Sequence, residues 1–132
     1  MENGLATIEK KDIVTLVKDN PLGDLIKPLS HEILLFDSSV AGTYYVDDES
    51  VFEDLKEGDK LTLKREPDNR FDENAILVLD EKERKLGYIP EKDNIVFARL
   101  MDAGKYLTAK VKYYEPKGAF RQISISIYLM DF

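Results

Sequence analysis

Apolar and polar positions alternate most regularly near the end of the chain. Ile123, Ile125, Ile127 and Leu129 are interleaved with Ser124, Ser126 and Tyr128, and Leu107, Ala109, Val111 and Tyr113 with Thr108, Lys110 and Lys112. A period of two puts each set on one face of a strand, and residues 115–118 between them supply turn chemistry, so a long antiparallel hairpin with inward isoleucines is predicted. Residues 61–65 alternate in the same way and stop at Glu66-Pro67-Asp68-Asn69, a turn sequence. Residues 75–79 are apolar throughout, the pattern of a strand buried on both faces; residues 80–85 form a charged hairpin loop and 86–89 the returning strand. Residues 33–36 and 39–46 are rich in strand formers, with Gly42 breaking the second run at a bulge or close backbone approach.

Helical spacing occurs twice. Ile8, Ile13, Leu16 and Val17 fall on one face, and Lys18, Asp19, Asn20 and Pro21 close that segment before an irregular stretch carrying Pro21, Gly23 and Pro28. Later, Asp93 or Asn94 caps a helix whose inward stripe is Ile95, Val96, Phe97, Leu100 and Met101, and Gly104 stands where a left-handed C-terminal residue is wanted. The expected organisation is an amino-terminal helical extension over residues 1–30 and a β domain over 31–132. About seven short strand segments with one helix interposed predict an all-β fold with one or two helices, built as a small antiparallel barrel.

At 132 residues, 43% hydrophobic and 34% charged, the chain has the size and balance of one soluble domain. It has no Cys and a single His, His31, which excludes a thiolate site, a zinc knuckle and a cysteine nucleophile. The glycines are scattered singly, so no phosphate-binding loop or dinucleotide fingerprint exists. Asp72 and Glu73 are adjacent, as are Asp47 and Asp48, and such carboxylate pairs are candidates for chemistry. Neighbours on a strand point to opposite faces, so solvated or capping roles stand against general acid-base or metal work. We expect no enzyme, no cofactor and no metal. The first residues lack a basic stretch followed by an apolar run, and no window approaches the ~20 apolar residues of a membrane span. The chain therefore reads as cytoplasmic and without a membrane partner.

The net charge of −7 opposes nucleic-acid binding by bulk charge. That charge is uneven: residues 37–62 carry 2 basic against 8 acidic side chains, residues 91–132 carry 7 against 5. Bringing the last third beside Lys64 and Arg65 would place a cationic face on an acidic protein. Residues 63–76 are the most informative, because a strand delivers Lys64 and Arg65 into a Pro-Asp-Asn turn followed by Arg70-Phe71-Asp72-Glu73-Asn74. In one reading Asp68 and Asn69 bond the backbone of the turn and Asn74 ties the loop down. In the other, Phe71 is a stacking platform and Asp72 or Asn69 a hydrogen-bonding group for an extruded base or a sugar hydroxyl.

Three motifs extend this picture: Val40-Ala41-Gly42-Thr43-Tyr44-Tyr45, the whole of residues 63–76, and Leu86-Gly87-Tyr88-Ile89-Pro90 before the second helix. Together they resemble the HIRAN domain, over about residues 35–129. The resemblance implies an OB-like barrel that captures the 3′ end of single-stranded DNA. It implies that Tyr45 stacks a terminal base, that Phe71 is a second aromatic, and that Asp72 accepts from the terminal 3′-hydroxyl. Asn69 matches a base- or sugar-contacting position and Phe120 an aromatic of the final hairpin, while Tyr88 lies in the third motif. The chain departs from that pattern in having Tyr44 in place of an arginine, Phe71 in place of a tyrosine, and Glu91, with Lys92 beside it, in place of a lysine. The expected function is a nucleic-acid-binding module in which Tyr44, Tyr45 and Phe71 stack and Lys64, Arg65, Arg70 and Lys92 are cationic support, with DNA 3′ ends as weak ligands. The alternative is a barrel that has lost end binding and meets a protein partner through its acidic surface.

Overall fold

A computed structural model describes residues 31–117 and 120–131. The expected amino-terminal extension, with its helix, lies outside the described residues. Within them are six strands, β1 (His31–Ser39), β2 (Lys60–Arg65), β3 (Ile76–Leu79), β4 (Lys85–Tyr88), β5 (Leu107–Lys117) and β6 (Phe120–Asp131), and two helices, α1 (Ser50–Glu53) and α2 (Glu91–Asp102). The strands form one sheet in the order β1-β6-β5-β2-β3-β4, antiparallel at β2–β3, β2–β5, β3–β4 and β5–β6. The expected mostly-β fold is present. No helix among the described residues is long and apolar enough to cross a membrane.

Among the described residues no strand pair closes the sheet into a barrel, because β1 and β4 are its two ends. A short piece of chain after β1 links them instead. The Val40 N–H donates to the Ile123 carbonyl of β6 at 3.0 Å, while Ala41 and Tyr88 of β4 exchange backbone hydrogen bonds of 2.7 and 2.9 Å. Beyond Ser39, the last residue of β1, this bridge is all that remains of the strand expected over residues 39–46, because Gly42 turns left-handed (φ +76°) and Thr43–Tyr45 coil into a 3-10 turn. The close backbone approach expected at Gly42 lies at Gly87, where a Cβ would stand 2.3 Å from the Ala41 carbonyl oxygen and 2.7 Å from Val40 Cγ1. Only glycine lets the bridge lie so near β4.

The core follows the alternation. Ile76, Val78, Ile125 and Ile127 are fully buried and Ile123 nearly so. Leu77 and Leu79 are only half-buried, so β3 is covered on one face and partly on the other. A bulge in β5 between Val111 and Tyr113 reverses the facing of the residues beyond it: Leu107, Ala109 and Val111 point inward, Tyr113 is exposed, and Tyr114 packs on the core in its place. The hairpin is also longer than expected, since Glu115 and Pro116 pair with Gln122 and Arg121 inside the strands.

Helix α2 starts earlier than expected, with Pro90 and not Asp93 or Asn94 at the cap position. The residues spaced three and four apart on its inner side are Asn94, Phe97, Ala98 and Met101; Asn94, Phe97 and Ala98 are buried and Met101 partly so. Ile95 and Val96 fall off that stripe and are exposed, which corrects the expected packing face. The Phe97 ring meets Phe36 of β1 at 5.8 Å. At the other end Gly104 and Lys105 donate to the Met101 and Leu100 carbonyls, a closed C-terminal cap. Ser38 of β1 donates to Asp93, so helix and sheet are tied by both packing and polar contacts.

Candidate nucleic-acid interface

The loop from β2 to β3 is built around two side chains, Asn69 and Glu66. The Asn69 Oδ1 accepts the Phe71 and Asp72 N–H groups at 2.9 and 3.1 Å, and its Nδ2 donates to Glu66 Oε1 at 3.1 Å. The same Glu66 oxygen accepts the Tyr88 hydroxyl at 2.7 Å. Burial alone raises the Glu66 pKa, but the Tyr88 hydroxyl, the Asn69 amide and nearby Lys85 and Lys64 outweigh it and hold the carboxyl below its ordinary value. Burial first, and then that carboxylate, push the Tyr88 phenol up to about 12. Both side chains thus hold the loop's shape, which is the structural reading of the turn.

The consequence of that shape is the placement of Phe71 and Asp72. Phe71 has its backbone fixed and its ring in solvent, 90% exposed. Asp72 turns the other way: Oδ1 accepts the Asn74 N–H at 2.9 Å, and Oδ2 accepts the Asn94 side-chain amide of α2 at 2.7 Å. Asn94 is 1% exposed, so the carboxylate is aimed by a buried amide and not by its own turn alone. Phe71, Asp72, Asn69, Tyr88 and Glu91 surround a pocket of about 240 Å³ whose floor includes Ala75 and Ile89. Among the described residues lining it, none is cationic.

A second hollow, of about 660 Å³, is lined by Tyr44, Tyr45, Thr43, Arg121 and Gln122. Gly42 lines both spaces and is the point where they adjoin. The Tyr44 and Tyr45 rings meet edge to face at 5.5 Å, and they are 64% and 79% exposed. Aromatic rings this exposed, in a protein that buries Phe52 and Phe97, present faces able to stack a planar ligand.

The expected cations are placed less favourably. Arg65 makes four hydrogen bonds, to the Ala75 and Glu73 carbonyls and twice to Asp102, so its guanidinium braces the loop against α2 and is not free for a ligand. Lys64 lines another hollow, made by residues 64–69, that shares Asn69 with the Phe71 pocket. Lys92 lines a fourth, mostly apolar one between β1 and α2 with Phe36, Val96 and Phe97, while Glu91 lines the Phe71 pocket. Arg70 is exposed next to Phe71. Phe120 begins β6, and its side chain lies outside the described residues. Two further contributors emerge only from the fold. Asn94 has the residue type of a helix cap, and its helical spacing from Phe97 and Ala98 is the signal that places it inward. Arg121 neighbours Phe120 in the hairpin and carries no local signal, because only the fold brings it to the tyrosines.

One member of each acidic pair is a turn-forming acceptor. Asp48 accepts both the N–H and the hydroxyl of Ser50 ahead of α1, as Asp72 accepts an N–H of its own turn. No group of three or more His, Cys, Asp or Glu able to hold a metal is found among the described residues.

Comparison with known proteins gives a consistent result. Residues 33–130 match the model of the HIRAN domain. The structure is similar to that of a protein from Lactobacillus plantarum, at 30% identity and a TM-score of 0.73, covering 78% of this chain and 99% of that one. It is also similar to the HIRAN domain of human HLTF, at 20% identity and 0.63, covering 76% and 78%. An NMR structure of that HLTF domain in its DNA-bound conformation matches at 20% identity and 0.52, covering 74% and 78%. Proteins of curated function give no match.

Proposed function

The chain belongs to the HIRAN domain family, and on that footing we propose that it is a nucleic-acid-binding module that takes up the 3′ ends of single-stranded DNA. The observation that carries the reading is the pairing of a solvent-exposed Phe71 ring with the Asp72 carboxylate, held at 2.7 Å by the buried Asn94 amide. The terminal base stacks on Phe71, an interaction worth ~1 to 3 kcal/mol for a base of any sequence. The terminal 3′-hydroxyl donates to Asp72. A carboxylate would repel a phosphate at that point, so of the groups at a strand end it fits the neutral hydroxyl donor. Glu91 on the same pocket adds to this discrimination. The strand then passes Gly42 toward Tyr44 and Tyr45, which stack the next bases. The HLTF domain, with a structure in its DNA-bound conformation, supports this class of ligand.

Net charge −7 and the loss of Arg65, Lys64 and Lys92 from the pocket make the binding micromolar and salt-sensitive. Fluorescence anisotropy with short labelled DNA strands ending in a free 3′-hydroxyl or a 3′-phosphate tests the proposal. The free end binds more tightly; equal binding, or tighter binding of the phosphate, contradicts it. The absence of a cation among the described residues of the Phe71 pocket favours one second reading, in which Asp72 and Glu91 face a basic side chain of a partner protein. Failure of every strand to bind, at low salt, favours that reading.

A further inference from the structure

The Phe71 pocket repels phosphate, yet a bound single strand brings at least one phosphate past every pair of stacked bases. Something on the path has to meet it. The tyrosine hollow contains a cation suited to this. Arg121 lines it with Tyr44, Tyr45 and Gln122, and its guanidinium lies over the buried Phe52 ring at 4.5 Å. Its side chain is 19% exposed, so it is largely packed and still partly open to solvent. Its backbone is fixed as well, since the Arg121 carbonyl accepts the Thr43 hydroxyl and Pro116 pairs with Arg121 across the hairpin. A planar fork stacked on an aromatic ring has lost most of its freedom before a ligand arrives, so holding a phosphate orders little more.

One group competes for this guanidinium. Glu49 Oε1 lies 3.2 Å from Arg121 Nη1, and Glu49 is 69% exposed. An ion pair whose carboxylate stands in water is a weak competitor. Arg121 has five N–H donors, enough to turn from one oxyanion to another or to hold both.

Resting on the nucleic-acid reading above, we propose that Arg121, held in place by Phe52, is the phosphate-contacting residue of the tyrosine hollow, and that Glu49 competes with the strand for it. The proposal explains how a chain with Tyr44 beside Tyr45 and Glu91 on its pocket still meets a backbone phosphate, using a cation delivered by the last hairpin. It also gives Glu49 a direction of effect that a purely structural ion pair would not have.

The test uses the full chain and anisotropy with a short labelled oligothymidylate over a salt series. Arg121→Gln weakens binding about tenfold, as expected for losing one charge-assisted contact. It also lowers the slope of log K against log salt by about 0.7, one phosphate's share for a single strand. Glu49→Gln acts in the opposite sense and tightens binding about two- to fivefold at low salt, a gain that fades as salt screens both charges. Because Arg121 covers Phe52 and its loss could loosen the fold, Glu49→Gln, on an exposed side chain, decides the matter alone. If Glu49→Gln leaves affinity unchanged or weakens it, while Phe71→Ala weakens binding of every strand, the Arg121 proposal is overturned and the end-binding reading stands. If no strand binds to the wild-type chain under any salt condition, both fall together.

Discussion

Replacing Gly87 by alanine tests whether the contact of the Val40-Ala41 bridge with β4 holds the two ends of the sheet together. The new Cβ would stand 2.3 Å from the Ala41 carbonyl oxygen and 2.7 Å from Val40 Cγ1. A relaxed carbon-to-oxygen contact is about 3.3 Å, so the bridge has to retreat by roughly 1 Å. Such a retreat breaks the two Ala41–Tyr88 hydrogen bonds. Each contributes about 0.5 to 1.5 kcal/mol net, and an L-residue at this backbone angle (φ +155°) adds a strain of about 1 to 3 kcal/mol. The total is ~4 kcal/mol. With a urea slope of about 1 to 3 kcal/mol per molar, the unfolding midpoint drops by about 1 to 4 M while the slope is retained. Gly42→Ala is the control, because a Cβ there meets nothing within 4 Å and only the left-handed backbone is penalised, by about 1 to 2 kcal/mol. Native-state exchange of the Ala41 and Tyr88 amides accelerates in Gly87→Ala and not in Gly42→Ala. A midpoint shift for Gly87→Ala no larger than that for Gly42→Ala would refute the reasoning.

Phe71→Ala weakens every single strand to a similar extent, whereas Asp72→Ala erases the preference for a free 3′ end and leaves internal binding intact; anisotropy with free and blocked strands reads both, and a retained preference in Asp72→Ala contradicts the role of the carboxylate. Phe97→Ala lowers stability by ~3 to 5 kcal/mol in urea titration, since the ring is 7% exposed and packs on Phe36; a loss under about 1 kcal/mol shows that it is not core. The Tyr88 phenol is pushed up to about 12 from an ordinary value of 10.0, by burial first and by the Glu66 carboxylate second, so the neutral phenol stabilises the fold fully below about pH 10 and that contribution is lost as pH rises through about 12. A spectrophotometric difference titration between wild type and Tyr88→Phe shows the step near 12, and a step near 10 contradicts the burial of the phenol against Glu66.

Much of the fold was legible because its signals were local and periodic. The isoleucines of β6 alternate with small polar residues, and burial follows that alternation along the strand. The bulge at Lys112 was not legible, since one inserted residue leaves the composition of β5 unchanged while turning Tyr113 outward. Residues 43–45 have strand-forming side chains, but the left-handed turn at Gly42 overrides them. Val51 and Phe52 were hidden by the acids around them, although α1 buries both. At the site, the loop chemistry of Asn69, Phe71 and Asp72 was readable from turn rules and from the family resemblance. Its cations were not. Side chains one residue apart on a helix differ by about 100° in direction, so Glu91 reaches the pocket and Lys92 a different hollow. Arg65 sits next to the loop in sequence and is engaged by the loop's own carbonyls, while Arg121 is remote in sequence and lines the tyrosine hollow.

The most direct test of the central claim is an amide NMR titration of the chain with a short DNA strand carrying a free 3′-hydroxyl. Shifts that grow together at Gly42, Tyr44, Tyr45, Phe71, Asp72 and the Asn94 side-chain amide are the predicted result. Shifts confined to Lys92, Val96 and the β1 face of α2, or none at saturating strand, contradict it.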